Sequence, residues 1–445
     1  MPRPSVEPYR RKLSQQELDE MLQAHARFLQ RRGGQRGKFR LMDLSHLDLT
    51  GRDLREADFA GAKLYGARLV AANLDHANLY GADLRLANMA NAFLSHADMR
   101  GACLRGAILS GAVLIDTDLR DGVIVTPGDD GALRPISFDV TITELTCAKI
   151  NNANLTRAKL ANSFVMQSDL TDSILLDAKL VRADLTNSNL TGCVLEGADL
   201  TEANLTGAVL NGADLTGAKV YRANLSGADL IGAVYDRSVL DDADLTNAKT
   251  WKPFESLRRP LAQVLEDHER WVQSNGREGE RADLSELNLD GQDLAGRNLA
   301  AAIFRSTKLA GARLQQASLA MADLSLADLR RTNLSEADLR GANFQRASLL
   351  CANLRKARLA PVHIAGVNTF VWQSNLMRAR LNGADLSEAE LTGAQLPGAS
   401  LTGADLRGTD LRGANLTGAD LTNARVEGCL FEDTDLTNVV GYSRA

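Results

Sequence analysis

Apolar residues recur along this chain with a period of five. Every fifth residue from Leu44 to Leu119 is Leu, Phe or Met, and every fifth from Leu284 to Leu359 is Leu or Phe, 16 positions in each run. That period matches neither the repeat of about 3.6 of an α-helix nor the repeat of about 2 of a strand, so the chain must turn a corner each time the apolar residue returns. Repetition on this scale marks a solenoid, in which each unit buries its apolar side only against its neighbours.

The unit is legible in Ala198-Asp199-Leu200-Thr201-Glu202, Ala203-Asn204-Leu205-Thr206-Gly207 and Ala213-Asp214-Leu215-Thr216-Gly217. A small residue stands two before the central Leu, Asp or Asn one before, a polar residue one after, and often Gly two after. This pattern resembles the pentapeptide-repeat family, over residues 41 to 120, 141 to 249, 282 to 360 and 371 to 438. The resemblance implies an all-β solenoid, a right-handed quadrilateral β-helix with four repeats in each 20-residue coil. In that fold the central Leu and the preceding small residue face inward and the other three positions face solvent. Coils stacked at the strand spacing of about 4.8 Å leave a narrow interior, which suits Ala or Ser in the second inward slot. Cys193 and Cys429 fall in the same slot and read as core.

Breaks in the beat give the organisation. Residues 14 to 32 predict an amphipathic helix opened by a Ser14/Glu17 capping box and stopped by Gly33-Gly34. A second helix is predicted near 254 to 275, with Pro260 in its first turns or at a kink and Asn275-Gly276 at its end. His25 and His268 correspond, each three residues before an aromatic, and read as satisfied, buried or half-buried histidines. The expected layout is a tail and capping helix at 1–40, a first β-helix at 41–249 with an insertion about 121–140, a linking and capping helix at 250–281, a second β-helix at 282–438 and a tail at 439–445. The halves look like copies. Leu44 matches Leu284, and Phe164–Leu170 (FVMQSDL) matches Phe370–Leu376 (FVWQSNL), so the first copy carries the extra residues. Those hold what reads as the one real loop, Val123 to Ile136, two short strands around a Pro-Gly-Asp turn.

Composition narrows the function. A net charge of −5 argues against a nucleic-acid binder that works by bulk charge, and 4% aromatic residues leave little for base stacking. Cys103, Cys147, Cys193, Cys351 and Cys429 show no metal-ligand spacing, and an odd count suits a reducing compartment. With neither a signal-peptide pattern nor a membrane-spanning run in this sequence, the expected location is the cytoplasm, away from membranes. The Gly212–Lys219 stretch is only superficially a phosphate loop, and sequons such as Asn204-Leu205-Thr206 are by-products of the repeat. No catalytic set and no cofactor site can be argued, so the chain is read as no enzyme.

Two features carry candidate chemistry. With 20-residue coils, Glu56, His76, His96 and Asp116 stack in one outward column, two imidazoles between two carboxylates, a weak zinc or copper site at most and otherwise a solvated polar ladder. The loop residues Thr126, Pro127, Gly128, Asp129, Asp130 and Gly131 form the most distinctive contact surface. Some proteins of the family resemble DNA and occupy the DNA groove of type II topoisomerases such as gyrase. A mimic of that kind needs a sustained acidic stripe, whereas Asp184, Asn204, Asn224, Asp244 is half neutral and Asp43, Lys63, Asp83 alternates in sign. The reading is therefore a non-enzymatic interaction scaffold with a protein partner of unknown identity. The alternative is a gyrase-directed DNA mimic, and a homodimer is compatible with the sequence.

Overall fold

The computed structural model describes residues 11–122, 125–127, 133–135, 143–235, 237–364 and 370–442. Its architecture follows from where each backbone N–H goes. In the repeat centred on Leu205, Leu205 N donates to Asn224 O in the next coil and Asn204 N to Ala183 O in the previous one. Gly207 N reaches Ser226 O, and Ala203 N closes a turn on Leu200 O. The fifth donor, Thr206 N, has no neighbouring carbonyl and is taken by the Asn204 side chain at 3.2 Å. That is why Asp or Asn precedes the Leu: its oxygen satisfies the one amide that stacking leaves over. Gly207 turns the corner at φ 65°, a left-handed conformation that costs glycine least.

Successive coils meet at one parallel bridge per side, 20 residues on. Asp184 pairs with Asn204, Asn189 with Val209, Val194 with Asp214 and Asp199 with Lys219, so the coil has four sides. Because each side contributes one bridged residue, extended strands are few. The inward Leu and Ala are buried along both columns except at the last coil of each, where Leu245, Ala248, Ala424 and Leu436 are half-buried; Cys193 is buried among them while Cys429 is half-buried.

The chain divides into two compact units. One runs to Asp229 and includes Tyr235–Lys249; the other comprises Leu230–Val234 and Thr250 onward. In the first, helix α1 (Gln15–Leu29) starts at Ser14 with both halves of the expected capping box in place. Its Gln15 exchanges two hydrogen bonds with the Asp48 backbone, and Asp19 pairs with Arg52 at 2.9 Å. The inward column begins at Phe39, one repeat before the run read from sequence, with its ring 4.7 Å from that of Phe59.

The second unit repeats the plan. A short strand β3 (Lys252–Pro253) lies parallel to β4 (Leu287–Asn288), and α2 spans Leu261–Gln273. This helix is shorter than the 254–275 segment expected. Pro260 is its N-cap, because proline disfavours helical geometry in the residue before it, and Phe254–Ser256 forms a separate 3₁₀ turn. Leu265 joins the core of this column, with Leu261 and Val264 packed on it.

Among the described residues each column has one hairpin excursion, and the first also has a 3₁₀ turn at Arg237–Leu240. Cys103 pairs with Glu144, 41 residues on, and the excursion contains β1 (Val125–Pro127) antiparallel to β2 (Leu133–Pro135). In the second unit Asn343 pairs with Asn375, and β5 (Val362–Ile364) runs antiparallel to β6 (Phe370–Trp372). The first loop is therefore matched by a second hairpin, contrary to expectation. The heptapeptide match also separates in space: Val165 fills an inward slot, whereas Val371 is 52% exposed on β6. Leu145, not Leu170, stands where Leu376 does, as the first inward residue after the break.

Candidate interaction surfaces

In the first hairpin Thr126 is in register with Arg134 and Pro127 with Leu133 across the β1–β2 pair. Gly128, Asp129, Asp130 and Gly131, the rest of the candidate loop, lie outside the described residues. The second hairpin was missed from sequence. It exposes Phe370 (67%), Val371 and Trp372, with Ile364 beside Phe370 in the register. Between β6 and the column lies an open groove of about 400 Å³, lined by Val371, Trp372, Gln373, Asn375, Gln395 and Pro397 among others. The run of three large apolar residues gave no signal of it, since Phe164-Val165-Met166 is the same kind of run and stays on the beat.

The outward ladders show why a mild net charge conceals many carboxylates. Where Asp precedes and Arg follows the central Leu or Met, the Arg folds back on that Asp, whereas Arg105, Arg305 and Arg355, which have no such Asp, pair with Glu144, Asp323 and Glu388 of a neighbouring coil. Arg100 donates to both oxygens of Asp98 at 2.9 and 2.7 Å, and Arg85, Arg120, Arg340, Arg407 and Arg412 do the same with Asp83, Asp118, Asp338, Asp405 and Asp410. These bonds hold the Asp405 and Asp410 carboxyls below the usual carboxylate range. Planar two-point pairing fixes the side chains against the column while cancelling their charge locally.

The Glu56, His76, His96, Asp116 column exists as a backbone ladder, each residue at a left-handed corner (φ 56–60°). The His76 and His96 rings lie face to face, 4.8 Å apart and 15° from parallel, so their lone pairs point side by side and do not converge. Asp116 is turned to Arg157, which it binds at 2.6 and 2.9 Å. Among the described residues no group of three or more His, Cys, Asp or Glu is placed to hold a metal ion. Burial pushes the Cys193 thiol up to about 12 and that of Cys429 to about 11, which keeps both protonated and inert. No described helix is long and apolar enough to cross a membrane.

One outward ladder of the first unit breaks the polar rule. Phe93 pairs with Val113, Val113 with Asn154, Asn154 with Ile174 and Ile174 with Val194. Phe93 is 46% and Ile174 39% exposed. Ile115 and Leu176, each two residues past a ladder position, add to the same face.

The family described as pentapeptide repeats (8 copies) matches residues 42–73, 67–111, 148–187, 178–217, 188–227, 223–249, 282–319, 322–359, 374–413 and 414–440, most of the chain. Among solved structures, similarity is found to a trypsin-treated variant of QnrB1, a plasmid-mediated fluoroquinolone resistance protein, at 21% identity over 46% of this chain and 93% of that one, TM-score 0.30. Rfr23 from the cyanobacterium Cyanothece 51142 is similar at 30% identity, over 30% of this chain and 88% of its own, TM-score 0.19. HetL of Nostoc sp. strain PCC 7120, described as involved in heterocyst differentiation regulation, is similar at 21% identity over 94% and 96% of the two chains, TM-score 0.14. No curated protein matches.

Proposed function

The chain belongs to the pentapeptide-repeat family, and from that premise we propose that it is a non-enzymatic, cytoplasmic interaction scaffold. On this reading its columns are right-handed four-sided β-helices, each covered at its first coil by a helix. The columns act as rigid supports and the inserted hairpins as contact elements. The observation that carries the proposal is the β5–β6 hairpin. The fold needs apolar side chains only in its inward slots, yet Phe370, Val371 and Trp372 are each more than half exposed outside the column. Large apolar groups kept in water without a packing role are a usual mark of a protein contact.

The local Asp–Arg pairs favour this reading over a DNA mimic, since a mimic presents uncompensated negative charge along its axis. The test replaces residues 362–372, and separately 123–136, by a short Gly-Ser link in the full chain. A partner recovered by affinity capture with the unaltered protein should be lost with one replacement while the melting temperature holds. If both variants keep every partner and the purified protein inhibits gyrase supercoiling, the scaffold reading fails and the mimic replaces it.

A further inference from the structure

We infer that the Phe93–Val194 ladder of the first unit is a docking track for a cationic amphipathic helix of a partner protein. The inference rests on the scaffold reading but uses a surface distinct from the hairpins.

The ladder is not there to hold the fold together. Its positions stand one before the central Leu, where the repeat wants the oxygen of Asp or Asn to take the amide two residues on, and aliphatic or aromatic residues forgo that bond. Counting repeats from the inserted hairpin, the second unit carries Asn333, Asn353, Asp385 and Asp405 where the first carries Phe93, Val113, Asn154 and Ile174. The same column is thus built with polar residues at each of these places. In the first unit even the interrupting Asn154 keeps its side-chain oxygen occupied by the Thr156 amide and hydroxyl.

Shape selects a helix. The ladder rises one side chain per coil, about 4.8 Å, and an α-helix laid along the axis presents one stripe residue per turn of about 5.4 Å. Over four steps the two repeats drift apart by only about 2–3 Å, so one partner side chain meets each rung. The corner on one side, Ala90-Asn91, Ser110-Gly111, Asn151-Asn152 and Thr191-Gly192, is small, with Asp172 its one charge beside these rungs, which allows close approach.

Charge selects the sign. The corner on the other side carries Asp75, Asp177 and Glu196 along with Glu56, Asp116 and the stacked His76 and His96, so that carboxylates outnumber its basic groups. Its two arginines are already engaged, Arg55 with Asp53 and Arg157 with Asp116. An apolar stripe with an acidic border fits a helix with an apolar stripe flanked by Lys or Arg, and it disfavours a second copy of itself.

The probe is a fluorescent helical peptide of about 18 residues with one leucine per turn and lysines on both flanks, titrated into the full chain by anisotropy. The variant Phe93→Asn, Val113→Asn, Ile174→Asn installs a residue the repeat prefers and should melt at the unaltered temperature while binding at least about tenfold more weakly. Asp75→Asn with Asp177→Asn and Glu196→Gln should weaken the lysine peptide and leave a glutamate-flanked control at its baseline. Replacing the hairpins should leave binding unchanged, which separates failure here from failure of the scaffold reading. The inference is overturned if the lysine peptide does not bind, if either variant binds it as the parent does, or if sedimentation shows a dimer that the triple Asn variant abolishes, since the occupant is then a second copy.

Discussion

At the scale of single residues, the repeat assigns each of its five positions a separate physical task, and substitutions should sort by task. Leu205 is a 1%-exposed inward residue, so Leu205→Ala should cost about 2–5 kcal/mol through lost packing and a cavity that stacked coils cannot collapse. Asn204→Ala strands the Thr206 amide and hydroxyl, both of which donate to Asn204, and should cost about 1–2 kcal/mol. The acceptor is isolated at Asn154, which takes the Thr156 amide and hydroxyl and whose ladder neighbours Val113 and Ile174 are uncharged, so Asn154→Asp should be close to neutral where Asn154→Ala is not. Chemical denaturation of these variants checks the order; equal losses for Asn154→Ala and Asn154→Asp would show that the side-chain oxygen has no such role. The inward slots were legible in the sequence because burial tolerates only Leu, Phe, Met and small residues there. The role of Asp and Asn was not, because a periodic polar residue one before the Leu reads as a solvated face until the amide it satisfies is located.

At the scale of elements, the two helices dock through the same histidine device. His25 Nδ1 accepts the Gly37 N–H at 3.0 Å and His268 Nδ1 accepts the Ala282 N–H at 3.1 Å, and both rings are fully buried. Each stacks on the aromatic three residues later, Phe28 or Trp271. Burial lowers both pKa values below the ordinary 6.5, and a protonated Nδ1 could not accept the amide. Below about pH 6.5 the unfolded chain therefore binds more protons than the folded one, so this contribution to stability is complete above that pH and declines as the pH falls toward the depressed value. Hydrogen exchange of the α1 and α2 amides should be independent of pH in its opening free energy above about 7 and should show easier opening from about pH 6.5 downward. His25→Asn with His268→Asn should flatten that slope; an unchanged slope would assign it to other groups. The correspondence of the histidines was visible in sequence because both precede an aromatic by three. The β5–β6 hairpin was not, because FVMQS and FVWQS are nearly identical locally. Whether such a segment continues the beat or leaves it depends on pairing with the coil below.

At the scale of the whole molecule, stability should add coil by coil and not be shared across the chain, because each coil buries its apolar residues only against the coils above and below. Each unit contains the parts that this requires: its own inward column, its own helix packed by a buried histidine and leucines, and its own hairpin excursion. The division is not clean in sequence, since Leu230–Val234 belongs with the second unit although Tyr235–Lys249 returns to the first. A cut between Asp229 and Tyr235 would strip bridged residues such as Asp244 and Lys249 from the first column, whereas a cut at 250/251 leaves the ladders of both intact. Fragments 1–250 and 251–445 should therefore each fold and melt cooperatively, with circular dichroism spectra that sum to that of the full chain. On the proposed capping role of α1, removing it from the first fragment, as 34–250, should lower the melting temperature and promote association, since the first coil would then offer unpaired edge groups. Should 34–250 instead stay monomeric with an unchanged melting temperature, the helix is not the cover of that end; should neither longer fragment fold, the two columns depend on one another.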